Sequence, residues 1–427
     1  MKKKTKKQNS TSVVPSKKVV IKSFEHTPNT YLGKGDPLNL EEQKHKFLYQ
    51  GVVPEFKFKV SEKKLESISG AKRAEIRHEL LPQATKILEK VREKYGSGDG
   101  FVQHTYGHKI TSQEGSELLK GYMVENAVDG MMSITWSKDL SCSGRMSWVG
   151  PSLKANKPDA RKYRLMLQDS AENAFLRERG ILCIADHEIG THFIRSYNDG
   201  LQPWFSNRQQ FGLHKLSSLN LLQTEEGLAT LNTLLKAKSK YLYYPALLYY
   251  TASKGEEMTF HELFDHLERY IMDSEMRWKY VMRVKRYLPD PNMKGGSGKD
   301  QCYFKGAVDI LQNLDEIDFD VLFSGKIALD DLPRVKHSAR LSLIKLPGFM
   351  KDKEAYISSL RKIALLNEIH KKPSKRGKHK SGKGIRGKKQ PVRSGSLSRS
   401  QKRHVKKYYT SEDKKSCPEV AEDKTAE

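Results

Sequence analysis

The sequence predicts an α+β fold, mostly helical with one small sheet, flanked by two disordered basic tails. Three observations lead there: apolar residues recur at helical spacing through most of the body, one stretch (MMSITWS, 131–137) reads as a strand, and the positive charge is concentrated at the ends. The 427 residues include 77 Lys and Arg against 51 Asp and Glu, a net charge of +26. Residues 1–24 hold eight Lys and no acid, and residues 371–427 hold nineteen Lys and Arg with six acids. The tails therefore carry +21, leaving +5 for residues 25–370. The expected organisation is a basic tail over 1–24, one folded domain over 25–370 and a second basic tail over 371–427.

In chain order, residues 31–44 (YLGKGDPLNLEEQK) read as a turn-rich lead into a helix. Between 61 and 95, Leu65, Ile68, Ile76, Leu80, Ile87, Leu88 and Val91 recur at helical spacing, with Pro82 interrupting them. Residues 113–138 predict a helix followed by the strand, and 170–197 predict a long helix from Ala171 onward. Another helix is expected to begin near Thr224, and 259–288 has the pattern of an amphipathic helix or a pair of them. Residues 290–300 (DPNMKGGSGKD) form a Pro/Gly loop.

Several classes are excluded. No apolar run approaches the roughly 20 residues of a membrane-spanning helix. The N-terminus (MKKKTKKQNSTSVVPS) lacks the apolar stretch of a secretory signal. Cys142, Cys183, Cys302 and Cys417 show no CxxC spacing, so neither a disulfide framework nor a cysteine zinc site is expected, and a reducing cytosolic or nuclear setting fits. The C-terminal tail is Lys, Arg, Gly, Ser and Pro with almost nothing to bury; it should be disordered alone and adhere to a polyanion. It has no aromatic residue before Tyr408 and Tyr409, so base stacking is poorly supported; composition alone does not choose among polyanions, and nucleic acid stays a possible but not favoured partner of the tails.

The sharpest chemistry lies in His187-Glu188-Ile189-Gly190-Thr191-His192, an HExxxH sequence. Histidines four apart on an ideal helix lie about 40° apart and can share a metal; five apart, they lie about 140° apart and cannot. The motif works only if the helix widens by one residue, a π-bulge, and Gly190 between the histidines lowers the cost of that distortion. A third ligand is needed, leaving a fourth position for water. The acids of Thr224-Glu225-Glu226-Gly227-Leu228-Ala229 are the candidates. A second HExxxH, His261 to His266, has a structural explanation instead. Thr259 and Glu262 form a capping box, and Leu263, Phe264, Leu267 and Ile271 make a core stripe.

HEIGTH, then Gln202-Pro203-Trp204, TEEGLA, Gly295-Gly296, Lys299-Asp300-Gln301 and Tyr303 follow one another in an order that resembles the microtubule-associated tubulin tyrosine carboxypeptidases and their relatives. The stretches 31–44 and 317–332 (IDFDVLFSGKIALDDL) are similar as well, so the likeness runs from about residue 30 to about residue 335. The resemblance implies a zinc metallopeptidase domain holding one Zn²⁺ per chain on His187, His192 and Glu226, the acid directly before the glycine, with Glu188 as general base. Relatives often have Gln where this chain has Glu225, so a second carboxylate stands beside the site.

The implied activity is removal of the C-terminal tyrosine of α-tubulin. That makes the α-tubulin tail and the microtubule the expected partners, with no small-molecule cofactor and no membrane. The expected location is cytoplasmic, on the microtubule cytoskeleton, with the nucleus also compatible with the basic tails. A carboxypeptidase needs a cation for the substrate's α-carboxylate and a donor for the oxyanion. Arg195, Arg283, Lys299 and Tyr303 are the candidates. The Tyr241–Tyr250 cluster reads first as buried packing and second as an aromatic substrate pocket. Cys183, one helical turn before His187, reads as core and gives no support to a cysteine nucleophile of the vasohibin type. Two other classes remain: a metallopeptidase of this kind with a non-tubulin substrate, and a catalytically silent polyanion binder.

Overall fold

Helical segments are cut by their own capping chemistry, and this sets the architecture. The computed structural model describes residues 37–371, apart from 70–74, 139, 141, 151–157 and 289. The expected tail over 1–24, nearly all of that over 371–427 and the first residues of the 31–44 stretch lie outside the described residues.

The first helices are α1 (Leu40–Gln50), α2 (Glu62–Ser69), α3 (Leu81–Tyr95), α4 (Gly98–Tyr106) and α5 (Ser112–Glu125). Pro82 opens α3 rather than breaking it, since a first-turn residue has no helical partner for its N–H. Ala84, Ile87, Leu88 and Val91 then form one buried stripe. A Thr111/Glu114 capping box starts α5.

The sheet consists of β1 (Met132–Ser137), β2 (Gly144–Val149) and β3 (Lys162–Gln168) in the order β1-β3-β2. β1 runs parallel to β3 with Ile134 opposite Leu165; β2 runs antiparallel with Met146 opposite the same residue. Leu165 and Leu167 are fully buried, so β3 anchors the sheet to the helical core.

Next come α6 (Gly180–His187), a π turn over Glu188–Phe193, α7 (Ile194–Asp199) and α8 (Leu219–Thr233). They are followed by α9 (Tyr243–Gly255), α10 (Phe260–His266) and α11 (Ser274–Lys285). The chain closes with α12 (Gln301–Gln312), α13 (Phe319–Phe323), α14 (Leu332–Val335) and α15 (Lys353–Leu366). The fold is α+β, as expected.

Two boundaries differ from expectation. The helix predicted from Ala171 begins only at Gly180. Asn173 prevents the earlier start: its Oδ1 accepts from the N–H of Phe175 at 3.0 Å and its Nδ2 donates to the carbonyl of Gln168 at 2.7 Å, a local turn that competes with helix. The helix expected near Thr224 begins at Leu219, because Ser218 caps it by accepting from the N–H of Leu221. The pair expected in 259–288 is present as α10 and α11.

One crossing positions the site. On α8, a Cβ added to Gly227 would stand 2.2 Å from the Gly306 carbonyl carbon of α12, and one added to Gly306 would stand 1.7 Å from the Gln223 oxygen. The two backbones touch directly, bringing Tyr303 of α12 beside Glu226 of α8.

Candidate metal centre

The last residue of α6 is His187, and the π turn that follows supplies the extra residue the motif requires. The rings of His187 and His192 consequently face each other, centroids 4.9 Å apart at 77°. The turn has a side-chain support. Thr191 donates to the carbonyl of Asp186 at 2.8 Å, Asn232 of α8 donates to Thr191 at 2.9 Å, and Tyr356 of α15 donates to Asn232 at 2.8 Å. Gly190 has a role beyond the expected softening of the helix: a Cβ there would stand 2.8 Å from both the Phe349 ring and the Tyr122 hydroxyl. Close packing requires the glycine.

His187, His192 and Glu226 each offer a ligand atom, and the three atoms lie within 4.8 Å of one another. The other ring nitrogens are engaged. Nδ1 of His187 meets Thr233 Oγ1 at 3.0 Å, and Nδ1 of His192 meets Glu225 Oε1 at 2.7 Å. Such partners fix the tautomer and aim the free nitrogen at a metal. Burial holds His187 well below its usual range, hence neutral. Burial also opposes charge on His192, yet the Glu225 hydrogen bond and the neighbouring carboxylates outweigh it and raise this histidine.

The two adjacent acids are shifted in opposite directions. Glu225 is bonded to Arg195, Lys326 and His192, and these cations outweigh its burial and hold it far below the carboxylate range. Glu226 is pushed up by burial, offset partly by His192, and accepts a hydrogen bond from Tyr303. Glu188 is likewise pushed up by burial, with its carboxylate accepting from the backbone N–H of Met146 on β2. Gly144 on that strand lets it pass close: a Cβ there would stand 3.2 Å from Glu188.

Two imidazole nitrogens and a carboxylate oxygen, oriented from behind and beside a third buried acid, form a donor set that fits Zn²⁺ with a fourth position left for water. A second cluster, His214, Asp330 and Asp331, is also close enough to hold a metal. Its oxygens already accept from His214, Asn220, Arg334 and the N–H of Ala328, a satisfied ion-pair knot. The second HExxxH is structural as expected: the Thr259/Glu262 capping box is formed, and His266 Nε2 meets the Tyr250 hydroxyl at 2.7 Å.

The metal group opens into a cavity of about 720 Å³. Of the residues proposed for substrate binding, Arg283, Lys299 and Tyr303 line it. Arg195 does not. It is fully buried, with Nε on the Leu322 carbonyl at 3.1 Å, Nη2 on the Ile327 carbonyl at 2.7 Å and Nη1 on Glu225, so it has no face for a substrate. The tyrosine cluster divides: Tyr243, Tyr249 and Tyr250 are core, while Tyr241 and Tyr244 line the cavity. Cys183 is core, its thiol pushed up to about 12 by burial.

Among the cavity residues that sequence reasoning missed, three are informative. Lys326 stands in the quoted 317–332 stretch, Thr233 follows Glu226 by seven residues and so shares its helical face, and Lys279 lies one turn before Arg283. Each had a legible signal in its spacing.

The family described as "Microtubule-associated tyrosine carboxypeptidase" matches residues 160–368. Microtubule-associated tyrosine carboxypeptidase 1 of Rattus norvegicus is 32% identical over 338 residues, 78% of this chain and 68% of its own length. The Homo sapiens protein of that name is 32% identical over 340 residues, 78% and 67% of the two chains. This chain belongs to the microtubule-associated tyrosine carboxypeptidase family. Mouse MATCAP2 is similar too, at 32% identity across 78% of this chain and 61% of its own. The family match begins at Ala160 and takes in the π turn, both acids of α8, Arg283 and Lys326.

Proposed function

We propose that the chain is a zinc-dependent metallocarboxypeptidase that removes the C-terminal tyrosine of α-tubulin. The observation that carries this is the convergence of His187, His192 and Glu226 within 4.8 Å at the floor of a cavity shared with Glu188. The relatives' names supply the reaction class, and the separated basic tails suit an acidic polymer surface.

When bound, Zn²⁺ supplies polarisation of the scissile carbonyl and acidification of a water. The chain's own residues do the rest. Glu188, raised by burial, accepts the proton of the attacking water and delivers it to the leaving amine. Glu225 holds His192 in register and is itself held by Arg195 and Lys326. Tyr303 gives its one hydroxyl proton to Glu226 and would turn it to the developing oxyanion once substrate is in place.

The test is tyrosine release from an α-tubulin tail peptide and from polymerised microtubules, comparing the unsubstituted protein with Glu188→Gln. Release that falls at least ~100-fold in the variant, with zinc still bound, supports the assignment. No release from either substrate by zinc-loaded protein overturns tubulin as the target.

A further inference from the structure

Helix α11 turns a basic face to the cavity. Lys279, Arg283 and Arg286 stand at i, i+4 and i+7, and all three line it. Arg283 already has an anion: Nε donates to Asp300 Oδ2 at 2.6 Å, and the guanidinium lies 5.8 Å from the Tyr303 ring centre. Lys326, also lining the cavity, is paired with Glu225. Lys279 differs from both. Its Nζ donates to Gln168 Oε1 at 3.0 Å, an uncharged amide at the end of β3. Glu172 also lines the cavity, but its Oε2 accepts from Ser170 at 2.7 Å, and it forms no ion pair with Lys279.

A cation drawn from water with only an amide as its hydrogen-bond partner is disfavoured: burial, helped by Arg283 and opposed by Glu172, pulls this ammonium down to about 8. An anion delivered by a ligand would reverse that. Glu188, Cys142 and Lys279 line one cavity, so the proposed general base and this cation face the same space. A carboxypeptidase substrate places its terminal α-carboxylate one residue beyond the bond that is cut.

We propose that Lys279 receives the substrate's terminal α-carboxylate, with Gln168 holding the ammonium in place until the peptide arrives. The inference rests on the peptidase reading above and assigns the residue that would restrict it to chain ends. An internal peptide bond, or an amidated terminus, would leave Lys279 without its anion.

The experiment measures binding rather than turnover. Zinc-loaded protein carrying Glu188→Gln is titrated by fluorescence anisotropy with a labelled acidic hexapeptide ending in tyrosine, once as the free acid and once as the C-terminal amide. The free acid should bind about 10- to 100-fold more tightly, the span of a charge-assisted hydrogen bond. Adding Lys279→Met should bring the free acid down to the level of the amide and leave the amide unchanged. Lys279→Gln, which keeps a donor for Gln168, is the second variant should the first not fold, and it should lose the preference too.

A preference that survives loss of Lys279 overturns the assignment. Equal weakening of both peptides also overturns it, since Lys279 would then contact acidic side chains rather than the terminus. Cleavage of the free acid by the unsubstituted protein is scored separately. Absent cleavage with an intact acid-over-amide preference sinks the peptidase reading but not the carboxylate site; cleavage with a preference indifferent to Lys279 sinks the site alone.

Discussion

Glu225 and Glu226 are neighbours in sequence with different tasks. Helical geometry turns Glu225 toward Arg195, Lys326 and the back of His192, and Glu226 toward the front of the same imidazole, 3.7 Å from its Nε2. Loss of an outer partner commonly costs about 10- to 100-fold in metal affinity. Glu225→Gln should therefore weaken zinc binding by that factor in a chelator competition, while Glu226→Gln should abolish stoichiometric binding. Because Arg195 is fully buried, Glu225→Gln should also lower unfolding stability by about 3 kcal/mol or more, read by urea denaturation. A variant with unaltered zinc affinity would show that Glu225 does not orient His192.

Lys285 is a second residue with a large predicted effect, away from the metal. Its buried ammonium shares three N–H groups among four carbonyls, those of Gly255, Met293 and Gly295 at 3.0, 2.9 and 2.7 Å and that of Met258 at 2.5 Å. It ties the end of α9 to the Pro/Gly loop before α12. Lys285→Met leaves those oxygens unpaired and should cost about 3 kcal/mol or more in a thermal or urea melt. A loss under about 1 kcal/mol would mean the loop does not depend on it.

Among the elements, the α8–α12 crossing is the least tolerant of change. A methyl on Gly227 would overlap backbone, which no side-chain rotation relieves. Gly227→Ala should separate the helices, destabilise the fold by about 3 kcal/mol or more and draw Tyr303 away from Glu226. Unchanged stability and zinc affinity in that variant would remove the crossing from the account. The same scale shows what was legible in the sequence. Periodicity located α3, α5, β1 and the α10–α11 pair because their apolar stripes and caps agree. It misplaced the start of α6 because Ala171, Phe175 and Leu176 imitate helical spacing while the Asn173 side chain holds the backbone in a turn. The need for a π turn was legible from the histidine spacing alone, but the reason for Gly190 was not, since Tyr122 and Phe349 approach it from distant parts of the chain. Arg195 was misjudged for the same reason: nearness in sequence to His192 gives no sign that α7 turns it inward to Glu225.

For the whole molecule, charge segregation is the dominant feature. With +21 in the two tails and +5 in residues 25–370, attraction to an acidic polymer should reside in the tails. Deleting 1–24 and 371–427 should leave hydrolysis of a short peptide within about twofold and reduce microtubule co-sedimentation strongly at low salt, with the full chain's binding falling as salt rises. Unchanged co-sedimentation after both deletions would transfer the contact to the folded domain.

The hydrogen-bond chain from the π turn through Thr191 and Asn232 ends on Tyr356, in the last described helix. The HEIGTH segment is thus braced from a segment synthesised more than 160 residues later. A ribosome that has delivered HEIGTH and TEEGLA has every ligand outside but no finished socket. The emerging chain should stay unable to capture zinc tightly until α15 docks, which would hold a proteolytic activity silent during its own synthesis. Chains ending at residue 350 should show the same weak capture in a chelator assay.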